Sequence, residues 1–176
     1  MSGIKRVSVL HPRERLSDME LPQFTGIGHL DLSVSDIEES ARWYEQVLGL
    51  RQARRVDFEE RTMIVLLHQP TGLVIGLNQH MGHPGEQFDE RRSGLDHVGF
   101  AVERRDDLDA WQARFASLDV VHSPVADTEV GSALVFRDPD HIQLEMWWSR
   151  PRDEAGSAQA ATTAASPGSG LLYHSS

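Results

Sequence analysis

Cysteine is absent from the 176-residue sequence, which excludes a disulfide scaffold, a thiolate zinc finger, an iron–sulfur cluster and a cysteine nucleophile. Long apolar runs are also missing. A stretch such as Met63 to Leu67 is far short of the roughly 20 residues that cross a bilayer as a helix. The N-terminal stretch carries Lys5, Arg6, His11, Arg13, Glu14 and Arg15 with no apolar segment, so a secretory signal is not expected. Basic charge is short as well. Seventeen Lys and Arg face 27 Asp and Glu, a net charge of −10, and arginines come as scattered pairs such as Arg54–Arg55, Arg91–Arg92 and Arg104–Arg105. This balance makes nucleic acid and anionic membrane poor partners, and the expectation is a cytoplasmic, acidic, globular protein. With 39% apolar residues, the length suffices for a core that needs no covalent staple.

What the sequence does contain is a repeat. Gly26-Ile-Gly-His29-Leu-Asp-Leu-Ser-Val34 aligns without gaps on Gly94-Leu-Asp-His97-Val-Gly-Phe-Ala-Val102 at an offset of 68. Trp43 falls on Trp111 at the same offset, and Pro70 matches Pro139 at 69. Repeats decide architecture, because each copy must be one supersecondary unit. Leu30, Leu32 and Val34 alternate with polar residues, as Val98, Phe100 and Val102 do with small ones, the pattern of half-buried strands. A helix follows in each copy. Ser35-x-x-Glu38 reads as a capping box, Ile37, Ala41, Tyr44 and Leu48 form a stripe, and Gly49 is the stop. Leu108, Trp111, Phe115 and Leu118 form the second stripe. Apolar runs of strand length come next, at 63–67, 73–77, 133–136 and 142–147, separated by turns at 69–72 and 138–141. The expected organisation is a flexible arm over 1–22 and a domain over 23–150, in which modules 24–80 and 94–149 flank a linker, 81–93. The end, 151–176, has 16 Ala, Ser, Gly or Thr in 26 residues and is expected to be disordered.

Strand faces decide which side chains can meet. His29 shares a face with Asp31 and Ser33, and His97 shares one with Gly99 and Ala101, in each case opposite the apolar residues. Glu145 lies with Gln143 and Trp147, opposite Ile142, Leu144 and Met146. A carboxylate inside an apolar strand is costly unless paired or bound to a metal. Two modules face to face would gather His29, His97 and Glu145, a set suited to Fe(II), Mn(II), Zn(II) or Ni(II). The alternative is that each histidine is an ordinary strand residue and that Glu145 pairs with an arginine.

Gly-x-x-His opening each half, the Trp43 and Trp111 helices, and Phe136-Arg-Asp-Pro-Asp-His-Ile-Gln-Leu-Glu145 resemble the vicinal oxygen chelate superfamily. That superfamily includes glyoxalase I, the extradiol dioxygenases, methylmalonyl-CoA epimerase, the fosfomycin-resistance thiol transferases and the bleomycin-binding proteins. The resemblance covers about Phe24 to Trp148 and implies an α+β fold of two βαβββ modules forming a cupped mixed sheet. The cup is built within one chain or, in a homodimer, by exchange of modules. It further implies one divalent ion on His29, His97 and Glu145, with Fe(II) the first choice, and a small substrate offering two vicinal oxygens. Ring-cleaving dioxygenation is the leading reaction. A glyoxalase-like lyase or isomerase, fosfomycin-type thiol transfer, and metal-free sequestration of a drug or metabolite are the alternatives.

Departures from the subfamily patterns narrow the choice. Glyoxalase I commonly adds a ligand from the last strand of its first module, where this chain has Gly76. Extradiol dioxygenases and fosfomycin transferases usually carry a tyrosine ten residues before the glutamate, where this chain has Val135. His141 stands in the Asp-Pro-Asp turn where glycine is usual, and histidine tolerates the left-handed conformation. His80 and His83 are candidate acid/base residues, with a surface loop as the alternative. His68 and Arg137, at matching strand ends, would bind an anion unless Arg137 pairs with Asp138 or Asp140. Trp147 would line an aromatic pocket.

Overall fold

A computed structural model describes residues 24–151; the expectations for 1–22 and for 152–176 lie outside the described residues. The chain order is β1 (Leu30–Ser33), α1 (Ile37–Leu48), β2 (Arg51–Asp57), β3 (Arg61–His68), β4 (Leu73–His80), β5 (Val98–Ala101), α2 (Arg105–Ser117), β6 (Ala126–Asp127), β7 (Gly131–Arg137) and β8 (Gln143–Ser149). Strand, helix and three strands thus occur twice. The strands form two four-stranded mixed sheets, ordered β1-β4-β3-β2 and β5-β8-β7-β6. In each, the first strand runs parallel to the last and the other pairs are antiparallel. The α+β class with two βαβββ modules is therefore observed.

Local sequence explains most boundaries. Leu32 and Val34 are buried while Asp31 and Ser33 are exposed, the two-residue alternation of a strand with one wet face. Helix α1 buries Ile37, Ala41, Tyr44 and Leu48 and stops at Gly49, whose φ of 75° suits glycine. Its N-cap is Asp36, however, and not Ser35. The Asp36 carboxylate accepts the backbone N–H groups of Glu38 and Glu39 at 3.0 and 2.9 Å. Ser35 is drawn away because its own N–H donates to the Asp140 carboxylate of the second module at 3.0 Å.

Strand β2 has no counterpart among the apolar runs. It is an edge strand, exposed at nearly every position, and carries Arg51, Arg54 and Arg55. Charge on an edge blocks pairing with other chains, and it also hides the strand from any search for apolar alternation. His141 does hold the left-handed conformation expected of it, with φ 64°.

The modules meet through α1 and the β7–β8 turn. Trp43 stacks on Phe136 with centroids 6.2 Å apart, and Phe136 also packs on Phe115 of α2 at 4.4 Å. The Tyr44 hydroxyl donates to the Asp138 carboxylate at 3.0 Å, and the Ile142 N–H donates to the same group at 2.7 Å. Arg114 of α2 donates to the carbonyls of Gln46 and Val47 at 2.5 and 2.9 Å. These contacts use the helix side of each module. The opposite faces, bearing His29, Asp31 and Ser33 in one and His97, Gly99 and Ala101 in the other, remain exposed.

Burial pushes the Asp138 carboxyl up to about 6, against the hydrogen bonds from Ile142 and Tyr44 and with help from the charge of Asp140. A carboxyl raised in the native state binds its proton more tightly than in the unfolded chain. Its stabilising contribution is full below the ordinary value of 3.8 and is lost as pH rises through about 6. The loss is at most about 3 kcal/mol. We expect Asp138→Asn to flatten the dependence of the urea midpoint on pH between 4 and 6; an unchanged slope would assign that dependence to another group.

Candidate metal centre

His97 precedes β5 and Glu145 sits in β8, and the two strands pair with Gly99 opposite Glu145. A Cβ added at Gly99 would meet the Glu145 Oε1 at 3.7 Å, ordinary contact. Glu145 is only 8% exposed, between Leu144 and Met146. Burial raises its carboxyl above the usual range, and the charge of His97 opposes the rise. The His97 Nδ1 lies 2.5 Å from Asp96 Oδ1, an arrangement that fixes the ring and leaves Nε2 as the outward donor.

His29 precedes β1 and is 66% exposed, with its Nε2 3.9 Å from the Asp31 Oδ2, a carboxylate 51% exposed. A single chain therefore gathers two pairs, His97 with Glu145 and His29 with Asp31, on different modules. Among the described residues no three His, Asp or Glu side chains converge to hold an ion. The donor chemistry nevertheless fits a divalent cation, because imidazole nitrogens are ordinary ligands of such an ion and its charge compensates a carboxylate with its own burial cost. Val135 of β7 stands directly opposite Glu145, so no phenol reaches the carboxylate from that position.

The other candidates separate clearly. His80 ends β4 and is exposed. His83 is held in the loop that follows, where its N–H donates to the His80 carbonyl at 3.2 Å and its Nδ1 accepts the Gly85 N–H at 3.0 Å. His83 lines a cavity of about 380 Å³ together with Asp31, Ser33, Phe88 and Asp140. Arg137 is engaged, but by neither expected aspartate: it pairs with Glu90 at 2.9 Å and donates to Gln143 at 3.0 Å. A loop residue distant in sequence wins because Asp138 and Asp140 are already turned toward module one. The Arg137 guanidinium holds the Glu90 carboxyl below its ordinary value. His68 Nδ1 lies 2.7 Å from Thr71 Oγ1 within its own turn. Trp147 shares the Glu145 face, half-buried, and its indole N–H donates to Ser149.

Sequence reasoning passed over Asp96 and gave Asp31 no role. The available signal was adjacency, since Asp96 directly precedes one histidine and Asp31 follows the other by two. The ordinary contact at Gly99 contrasts with Gly131, where an added Cβ would lie 2.2 Å from the Trp148 carbonyl. Gly99→Ala is expected to leave stability within about 0.5 kcal/mol, whereas Gly131→Ala should lose about 1–3 kcal/mol. Equal losses in denaturant melts would contradict the clearance at position 99.

The model of the Glyoxalase/Bleomycin resistance protein/Dioxygenase superfamily matches residues 26–146. The chain is 35% identical to a glyoxylase/bleomycin resistance protein/dioxygenase domain from Frankia sp. EAN1pec, whose crystal structure matches with a TM-score of 0.69 over 73% of this chain and 100% of that one. The fosfomycin resistance protein FosX from Listeria monocytogenes, crystallised with Mn(II) and sulfate, is 19% identical with a TM-score of 0.56, covering 73% of this chain and 95% of that one. This second likeness shows the fold alone. Catechol-2,3-dioxygenase from Bacillus subtilis (strain 168) is 25% identical over 152 residues, 80% of this chain and 49% of that protein. The chain thus spans about half the length of this curated relative.

Proposed function

The chain belongs to the Glyoxalase/Bleomycin resistance protein/Dioxygenase superfamily, and from that membership and the two donor pairs we propose a metal-dependent enzyme that holds a divalent ion through His29, His97 and Glu145. The observation that carries this reading is Glu145, a carboxylate buried in an apolar strand beside an imidazole. Bound there, the ion would chelate two vicinal oxygens of a small substrate and stabilise the negative charge that develops on them. Asp96 keeps the His97 ring turned so that Nε2 faces outward. His83, on the cavity wall with Asp31, is the acid/base residue of this reading; His80, exposed at its strand end, serves the loop.

Fe(II)-dependent ring cleavage of a catechol is the reaction to test first, supported by the likeness to a catechol-2,3-dioxygenase. Mn(II) is the second metal to test, supported by the complex of FosX. A lyase or isomerase reaction is the second reading, favoured by the position of Asp31 beside His29. Because no three of the candidate donors converge within one chain among the described residues, we take the cup to be completed by a second copy, each site pairing module one of one protomer with module two of the other.

Two measurements test this. Anaerobically prepared protein should bind about one divalent ion per chain, and His29→Ala, His97→Ala or Glu145→Ala should each abolish binding; full occupancy in all three variants rules out the centre. Mixing His29→Ala and Glu145→Ala protomers should restore one intact site in each mixed dimer, while a site built within one chain would restore none. Oxygen uptake with catechols by the Fe(II)-loaded enzyme then separates ring cleavage from the second reading.

A further inference from the structure

Resting on the metal centre proposed above, we infer that Asp31 is a second carboxylate ligand of that ion, supplied from the first strand of module one in place of the last. The repeat makes the exchange visible. Asp31 aligns with Gly99, and Gly76 aligns with Glu145. In the structure these are cross-strand partners: Asp31 lies opposite Gly76 on β1 and β4, and Gly99 lies opposite Glu145 on β5 and β8. Each module therefore has one carboxylate and one glycine at the same pair of positions, with the two exchanged.

The side chain of Asp31 uses the gap. A Cβ added at Gly76 would lie 1.9 Å from the Asp31 Oδ1 and 2.9 Å from its Cγ. The carboxylate thus lies across β4, in the space where a side chain of residue 76 would begin. Among the described residues its ion-pair partner is His29, at 3.9 Å. Two neighbouring donors each about 2.1 Å from one ion sit about 3.0–3.4 Å apart, so a small rotation of these exposed side chains brings the pair onto a common cation. A side chain at position 76 would turn the Asp31 carboxylate out of this rotamer, so the glycine permits the placement.

The consequence concerns charge and vacancy. Two imidazoles with two carboxylates neutralise a divalent ion. On a six-coordinate ion they leave two positions, sufficient for the two substrate oxygens and without a third for dioxygen. Asp31 therefore moves the expected chemistry from oxygenation toward the lyase or isomerase class.

Co(II) titration of the full-length protein, followed by visible absorption and calorimetry, tests the assignment. Asp31→Asn, nearly isosteric, should weaken Co(II) binding by more than about 100-fold, beyond the 10–100-fold typical of outer-shell partners, and alter the Co(II) spectrum. The double variant Asp31→Gly/Gly76→Glu moves the carboxylate to β4, copying the pattern of module two, and should recover affinity to within about tenfold of the wild type. If Asp31→Asn binds Co(II) with the wild-type spectrum and an affinity lowered by less than 100-fold, while Glu145→Ala does not bind, this inference is overturned and the three-residue centre stands. If the wild type takes up no Co(II), both fall.

Discussion

Two carboxylates in the β7–β8 turn, Asp138 and Asp140, are buried, and burial is tolerable for them because donors from module one and from the turn itself meet them. Tyr44 and the Ile142 amide donate to Asp138, and the Ser35 amide donates to Asp140. With the stack of Trp43 on Phe136, these bonds hold α1 on the second module. Because this clasp occupies the helix sides, the sheet faces that carry His29 and His97 are left uncovered. Which faces are left free for the candidate site follows from satisfying a pair of desolvated charges where the two modules meet.

The uncovered faces are not equivalent, and their difference lies in glycine placement. Module two presents a buried glutamate over Gly99 with an imidazole nearby and Asp96 behind the ring. Module one presents an exposed imidazole and an aspartate that fills the notch at Gly76. Neither half alone supplies the donors that a divalent ion requires. The incompleteness is geometric, since each half carries one histidine and one carboxylate on the face away from its helix.

Much of the fold was legible because a repeat with alternating apolar positions carries its own architecture. Leu32, Val34, Leu134 and Leu144 are buried, as two-residue periodicity requires. Two of the failures share one cause, competition from distant partners. Ser35 looked like a cap until Asp140 took its amide, leaving Asp36 to cap the helix. Arg137 looked as though it would pair within its own turn, but both aspartates there face module one, and Glu90 of the loop holds it. Strand β2 is a charged edge whose pairing with β3 is made by backbone groups, which leave no trace in side-chain pattern.

The sequence by itself determined the two modules, the strand faces, and the presence of His29, His97 and Glu145 on those faces. Side-chain periodicity is a local property, and each strand settles it with its immediate neighbours. Only the tertiary structure decided that His97 and Glu145 lie together while His29 lies with Asp31, and that Asp31 rests where residue 76 has no side chain. Which donors share a point in space depends on strand register and on which surfaces the modules bury against one another. Those were set by carboxylates and aromatics more than ninety residues apart in the chain, between α1 and the β7–β8 turn.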